Sequence, residues 1–293
     1  MAGGEAVTGG TAPAARVAVT PTVADPVAGG SGGGEDGRGG WGDSMAVPVT
    51  KGADPVAGAA PALPGPTWDG ADLADRPRLW PARELSRHSG WVTSFVTEQV
   101  TTPTGQEVRR DWLRHPGAVA VVALDDRERV AVVRQYRHPA AFELLEIPAG
   151  LLDVAEEDPL TAARRELAEE AQLQAADWRT LVDWFTSPGS SQEAIRVYLA
   201  RRLSPTLRPD GFELTGEEAA MTVGWVRLDE AVAAVLDGRL QSPTLVVGLL
   251  ALTALKTTSR LEDCREADAP WPARRRQTAP DRRWRPEVVG EEL

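Results

Sequence analysis

From residue 91 onward, apolar runs alternate with turn residues, and their period changes part-way along. Residues 91–102, a Pro103-Thr104-Gly105 turn and residues 108–115 predict a β-hairpin. Residues 118–124 are continuously apolar, residues 130–136 nearly so, and Asp125-Asp126 between them predicts a second, more buried pair. Residues 142–147 read as a short strand broken by Pro148-Ala149-Gly150. After a loop at 151–158 the spacing turns helical. Residues 159–171 are rich in Ala, Leu, Glu and Arg with Pro159 in the first turn, which predicts a helix. Strands follow at 180–185 and 194–203, then a polar loop to Glu218 and a strand at 221–228. Asp229 is expected to cap a short helix ended by Gly238, and Ser242-Pro243 to open a last helix to Lys256. Strands, one central helix, more strands and two helices make a mixed α+β layered fold.

Before Leu63 the chain has no Leu, Ile, Phe or Tyr. Ordering a backbone costs about 1–2 kcal/mol per residue, which such a segment cannot offset by apolar burial. Residues 1–75, in which Ala-Asp-Pro-Val-Ala-Gly occurs at 24–29 and again at 53–58, therefore read as a low-complexity tail. Met45 is an alternative start. Residues 257–293, with Arg274-Arg275-Arg276 and Arg282-Arg283 among prolines and acids, read as a second tail. The expected organisation is tail at 1–75, N-terminal strands at 76–117, a domain at 118–256 and tail at 257–293.

The 293 residues carry a net charge of −11, which disfavours nucleic acid as a partner because phosphate contacts need clustered cations. The only lysines are Lys51 and Lys256, against 30 arginines (32 − 2), so arginine runs reflect compositional bias. Cys264 is the only cysteine, which excludes a disulfide framework and any multi-cysteine metal site. Neither a signal-like start nor an apolar run long enough to span a bilayer is present, and a cytoplasmic, non-membrane protein is expected.

The candidate chemistry lies in Arg164-Arg165-Glu166-Leu167-Ala168-Glu169-Glu170. On a helix, Glu166, Glu169 and Glu170 share one face. Each like-charge pair costs about 0.2–0.5 kcal/mol, and no lysine at i+4 offsets it. A hard divalent cation would, and Mg²⁺ characteristically takes carboxylate oxygens while keeping water for a phosphate-bearing substrate. The three histidines (His88, His115, His138) are too scattered to form a metal cluster.

With Gly150 upstream, this stretch resembles the Nudix box. Arg165-Glu166-Leu167-Ala168-Glu169-Glu170 matches its core, and Glu157 its early glutamate. The loop after Gly150 is one residue longer than the general pattern, and Gln172 stands where glycine is usual. The flanks Arg134-Gln135-Tyr136-Arg137-His138-Pro139, residues 143–153, His115-Pro116-Gly117, Ser187-Pro188-Gly189 and Arg196-Val197-Tyr198 are similar to the ADP-ribose pyrophosphatase branch of the Nudix hydrolases.

That resemblance implies a Nudix-type α/β/α sandwich with a mixed sheet, working as a homodimer whose N-terminal strands at 76–117 mediate dimerisation. It implies Mg²⁺-dependent (Mn²⁺ as the alternative) hydrolysis of ADP-ribose to AMP and ribose 5-phosphate. By position, Glu166, Glu170 and the Ala149 carbonyl would hold metal, and Glu169 a second ion or its waters. Arg165 would orient the glutamates, with Glu157 in support. Glu217 or Glu218 would be the general base on a loop. Arg137 would contact the diphosphate, while Glu143 and Glu146 would either bond ribose hydroxyls or cap strand edges. Trp91 and Trp112 would stack on adenine across a dimer or pack in the core. Ala220 and Ser190 depart from residues common in the branch. Another nucleoside diphosphate sugar as substrate, a non-catalytic nucleotide sensor and a tail-based scaffold are the competing readings.

Overall fold

The computed structural model describes residue 70 and residues 73–209 and 220–274. The strands are β1 (Ala82–Ser89), β2 (Ser94–Thr101), β3 (Glu107–Arg114), β4 (Ala118–Ala123), β5 (Arg129–Arg137), β6 (Phe142–Glu146), β7 (Ala149–Leu151), β8 (Leu173–Phe185), β9 (Ala194–Pro205), β10 (Thr222–Arg227) and β11 (Arg265–Glu266). The helices are α1 (Pro159–Ala171), α2 (Leu228–Leu236) and α3 (Pro243–Thr257).

These strands form three sheets, ordered β1-β2-β3, β10-β5-β6 and β11-β8-β9-β4-β7. The last is mixed, because β4 runs parallel to β9 and antiparallel to β7. The reason β4 is apolar throughout is that both its faces are covered. Ala118, Ala120 and Val122 pack in one core with Leu245, Leu249 and Leu252 of α3. Val119, Val121 and Ala123 pack in the other with Ala162, Ala163 and Leu167 of α1. Helix on sheet on helix is the α/β/α sandwich expected. A Cβ at Gly248 would stand 2.9 Å from Val122 Cγ2, so this glycine lets α3 lie close on the sheet.

Three local expectations are corrected. The runs at 118–124 and 130–136 do not form one hairpin. They enter different sheets and share only the Leu124–Val130 bridge, because Asp125 turns the chain by accepting the Arg127 and Arg129 amides at 2.9 and 2.8 Å. Asp229 lies inside α2, whose N-cap is Arg227. Residues 257–274 do not behave as a tail. A 3-10 turn (Leu261–Asp263) leads into β11, which pairs with β8, and Trp271 is buried in the α1-side core.

β1–β3 form an antiparallel sheet with Phe95 directly opposite Leu113 and both side chains exposed. Trp91 is fully exposed, and Trp112 donates its indole N–H to Glu98 at 3.0 Å, so neither is a core residue. Among the described residues no helix is long and apolar enough to cross a membrane.

Candidate active site

The site is built where α1 crosses the edge strand β7. Asp158 starts α1 by accepting the amides of Leu160 and Thr161 at 3.0 and 3.2 Å, and Pro159 fills the first position. Gln172 ends it in the left-handed region (φ 52°), its N–H reaching the Ala168 carbonyl at 3.1 Å. The usual glycine conformation is thus kept by a glutamine, at a conformational cost. α1 buries Ala162, Ala163 and Leu167, leaving the Glu166, Glu169, Glu170 row to face β7 and the adjoining cleft.

Arg165 organises that row. Its Nε and Nη2 meet the two oxygens of Glu157 at 3.0 Å each, and Nη1 meets Glu166 at 2.7 Å and Glu169 at 3.1 Å. The fork hydrogen-bonded to Glu157, ahead of the nearby Glu166 and Glu169 charges, raises the basicity of the guanidinium further. The extra loop residue does not displace Glu157. Glu156 takes a left-handed turn (φ 60°) and the Glu157 amide closes back on the Val154 carbonyl at 3.3 Å.

β7 supplies the other wall. The Pro148 carbonyl accepts the Val121 amide at 2.8 Å, and the Leu152 amide donates to the Gly117 carbonyl at 3.0 Å. Antiparallel alternation then turns the Ala149 backbone groups to the outer edge. There the Ala149 amide donates to Glu170 at 3.0 Å, and the Ala149 carbonyl faces the same way.

A cleft of about 550 Å³ opens over these groups. Arg137 and Glu146 line it as a bidentate pair, at 3.0 and 2.7 Å, and Gln135 adds a bond to Glu146 at 3.3 Å. Glu143 does not join them. It sits one strand step out of phase with Glu146 on β6, opposite Tyr136, and is exposed. Glu217 and Glu218 lie outside the described residues.

His115, named from sequence only as a scattered histidine and as part of a flanking match, and Glu193, not named there, also line the cleft. His115 Nδ1 accepts the Gly117 amide at 3.0 Å, which requires that nitrogen to be unprotonated. The Glu193 carboxylate 3.3 Å from the same nitrogen is therefore a charged neighbour and not its hydrogen-bond acceptor. Burial pushes the imidazole below its ordinary pKa, and Glu193 opposes this. An isolated acid in a turn gives no sequence signal that would have found Glu193.

Among the described residues, no three acids or histidines converge into a preformed metal cage. The donors are nonetheless all hard oxygens, and Mg²⁺ keeps several waters while taking one or two carboxylates directly. The close approach of Glu166 to Gly150, where a Cβ would overlap the carboxylate, keeps these oxygens against the Ala149 edge. The residues fit a partly hydrated Mg²⁺.

Residues 114–245 match the NUDIX domain. The chain is 45% identical over 170 residues to the ADP-ribose pyrophosphatase of Mycobacterium tuberculosis (strain ATCC 25618 / H37Rv), covering 58% of this chain and 81% of that protein. It is 35% identical over 161 residues to the methanol dehydrogenase activator of Bacillus methanolicus (55% and 85%). It is 40% identical over 116 residues to the ADP-ribose pyrophosphatase of Bacillus subtilis (strain 168) (40% and 62%). The chain belongs to the NUDIX family. It is a Nudix hydrolase.

Proposed function

We propose that the chain hydrolyses the diphosphate bond of ADP-ribose, water adding across P–O–P to give AMP and ribose 5-phosphate. The observation that carries this is the Arg165-bound row of glutamates facing β7 beneath a cleft that also holds Arg137. Two relatives bearing the name ADP-ribose pyrophosphatase, at 45% and 40% identity, support the substrate.

Glu166, Glu170 and the Ala149 carbonyl would hold one Mg²⁺, and Glu169 a second ion or its waters. The chemistry that bound Mg²⁺ supplies there is neutralisation of diphosphate charge and activation of the attacking water. Arg165 fixes the carboxylates so that no reorganisation is needed when the substrate arrives. Arg137, aimed by its fork to Glu146, meets the diphosphate oxygens. Glu217 or Glu218 takes the proton from the attacking water. Phe95 and Leu113, paired and exposed on the β1–β3 sheet, support a homodimer through that sheet.

The test is product formation by the purified full chain with Mg²⁺ on ADP-ribose, ADP-glucose, GDP-mannose, UDP-glucose and 8-oxo-dGTP. AMP released from ADP-ribose in preference to the others is the expected result. Turnover of another sugar nucleotide instead would reassign the substrate, and silence with nucleotide binding retained would favour a sensor. Replacing Glu217 or Glu218 singly by Gln identifies the base as the one whose loss costs about 10²–10⁴ in kcat.

A further inference from the structure

The segment 264–274 doubles back over the five-stranded sheet and is fastened at both ends. At its start β11 pairs with β8, and the buried Thr180 hydroxyl donates to the Glu266 carbonyl at 2.9 Å. In its middle, the buried Arg196 donates to both oxygens of Asp183 at 2.7 and 2.9 Å. It also donates to the carbonyls of Ala269 and Pro270 at 2.8 and 3.3 Å. The same guanidinium lies 4.8 Å from the ring centre of Trp271. Peeling the segment away would leave Arg196 paired with Asp183 but would strip it of two carbonyl acceptors and of the Trp271 ring, which opposes release of the segment.

At its far end the segment delivers Arg274. Its Nη1 donates to the Pro116 carbonyl and its Nη2 to the Leu152 carbonyl, the latter at 3.2 Å. These carbonyls flank the end of the β4–β7 ladder that the Leu152–Gly117 bond closes; the paired residues are Ala118–Leu151, Val119–Gly150 and Ala120–Ala149. A three-residue edge strand has little pairing of its own to hold its register. Yet this strand carries the backbone that Glu170 and Glu166 pack against.

We infer that Arg274 is a positioning residue for the divalent-cation site: through the Pro116 and Leu152 carbonyls it holds β7 on β4, and so holds Ala149 and Gly150 against Glu170 and Glu166. This rests on the reading of the glutamate row as a metal site. Arg274 does not line the cleft; it acts through the strand.

The test compares full-length Arg274→Ala, Arg274→Lys and, as a control, Arg265→Ala. The control removes a contact of the same segment, to Asp183 at 2.9 Å, remote from β7. Mn²⁺ affinity without substrate is measured by electron paramagnetic resonance. Mg²⁺ activation, kcat, KM and the reactivity of the buried Cys264 thiol complete the set. In Arg274→Ala, Mn²⁺ affinity should fall, and the Mg²⁺ for half-activation rise, by about tenfold, the size seen when an outer-shell support is lost. KM for ADP-ribose should hold, Cys264 should stay protected, Lys should recover part of the loss, and Arg265→Ala should match wild type. Wild-type Mn²⁺ affinity in Arg274→Ala would overturn the inference. So would equal losses in Arg274→Ala and Arg265→Ala with Cys264 exposed, since the segment would then act by general stability. A wild-type chain that binds Mn²⁺ but cleaves no nucleotide sugar would remove the substrate assignment alone, and the Mn²⁺ comparison would still decide the role of Arg274. A wild-type chain that binds no Mn²⁺ would remove both.

Discussion

Gly150 and Glu166 compete for one space: a Cβ at position 150 would stand 2.0 Å from Cδ of Glu166 and 2.6 Å from its Cγ. The glycine is needed here for what lies beside it, since its φ is unremarkable. Without a side chain, β7 lets a carboxylate from α1 lie directly on its backbone.

Gly150→Ala should therefore act on the site before it acts on the fold. A glutamate side chain can swing aside where backbone cannot, so the new methyl group displaces the Glu166 carboxylate. Activity at fixed Mg²⁺ should drop by about 10–100-fold, while the thermal midpoint moves by no more than a few degrees. Steady-state rates and a melting curve check this; an alanine variant with wild-type kcat and Mg²⁺ requirement would sink it.

Arg165→Lys keeps the charge and loses the fork. An ammonium cannot reproduce the two parallel bonds to Glu157 together with those to Glu166 and Glu169. Mn²⁺ affinity should weaken by about tenfold or more, and titration of metal into the variant reads this directly. Equal affinities would mean that charge alone, and not the planar geometry of the guanidinium, sets the carboxylates.

Gln172→Gly should stabilise the protein without changing turnover. A side chain in the left-handed region costs about 1–2 kcal/mol that glycine avoids, partly offset by the greater freedom of glycine when unfolded. A net gain of about 1 kcal/mol raises the midpoint by about 2–4 °C for a domain of this size. A lower midpoint would show that the glutamine side chain contributes more than its backbone costs.

His115 predicts a pH dependence of stability. Its imidazole, desolvated and with Nδ1 accepting the Gly117 amide, has a lowered pKa in the folded state. Below the ordinary value of 6.5 the unfolded chain takes up a proton that the folded chain resists. Stability from this group is therefore complete above that pH and declines as pH falls from there toward the lower folded value. Urea unfolding at about pH 8 and about pH 5.5 should show the decline, and His115→Gln should flatten it. An unchanged slope in the variant would move the effect to another group.

Legibility in the sequence followed the range of the forces involved. α1 was readable end to end because its cap, its proline and its apolar spacing are local. β4 was readable because burial on both faces leaves no polar position. β1 was not, since Ala82–Ser89 is polar on both sides and exposed almost throughout, and β7 is too short to show a period. The first half of β8 hid behind Gln172, whose reversal of the chain is a backbone property. Residues 257–274 read as part of a tail because Arg274-Arg275-Arg276 and Arg282-Arg283 stand in it among prolines and acids. What fastens them is Arg196, more than seventy residues away, and no local pattern announces such a contact. In the site, the helical spacing put Glu166, Glu169 and Glu170 on one face and the resemblance pointed to Glu157; the structure brings Glu157, Glu166 and Glu169 to Arg165, and Glu170 to the Ala149 amide. The spacing could not show that Glu143 and Glu146 fall on opposite faces of β6, nor that Glu193 turns toward the cleft.

The frame of this site is blind to alkalinity. An arginine held by three carboxylates, Glu157 foremost, is harder to deprotonate than one in water, and even in water it stays charged wherever proteins remain folded. Any bend that a rate profile shows on the basic side must therefore be traced to the nucleophile, the substrate or some other side chain. Rising hydroxide can speed the reaction without loosening the scaffold that aims it.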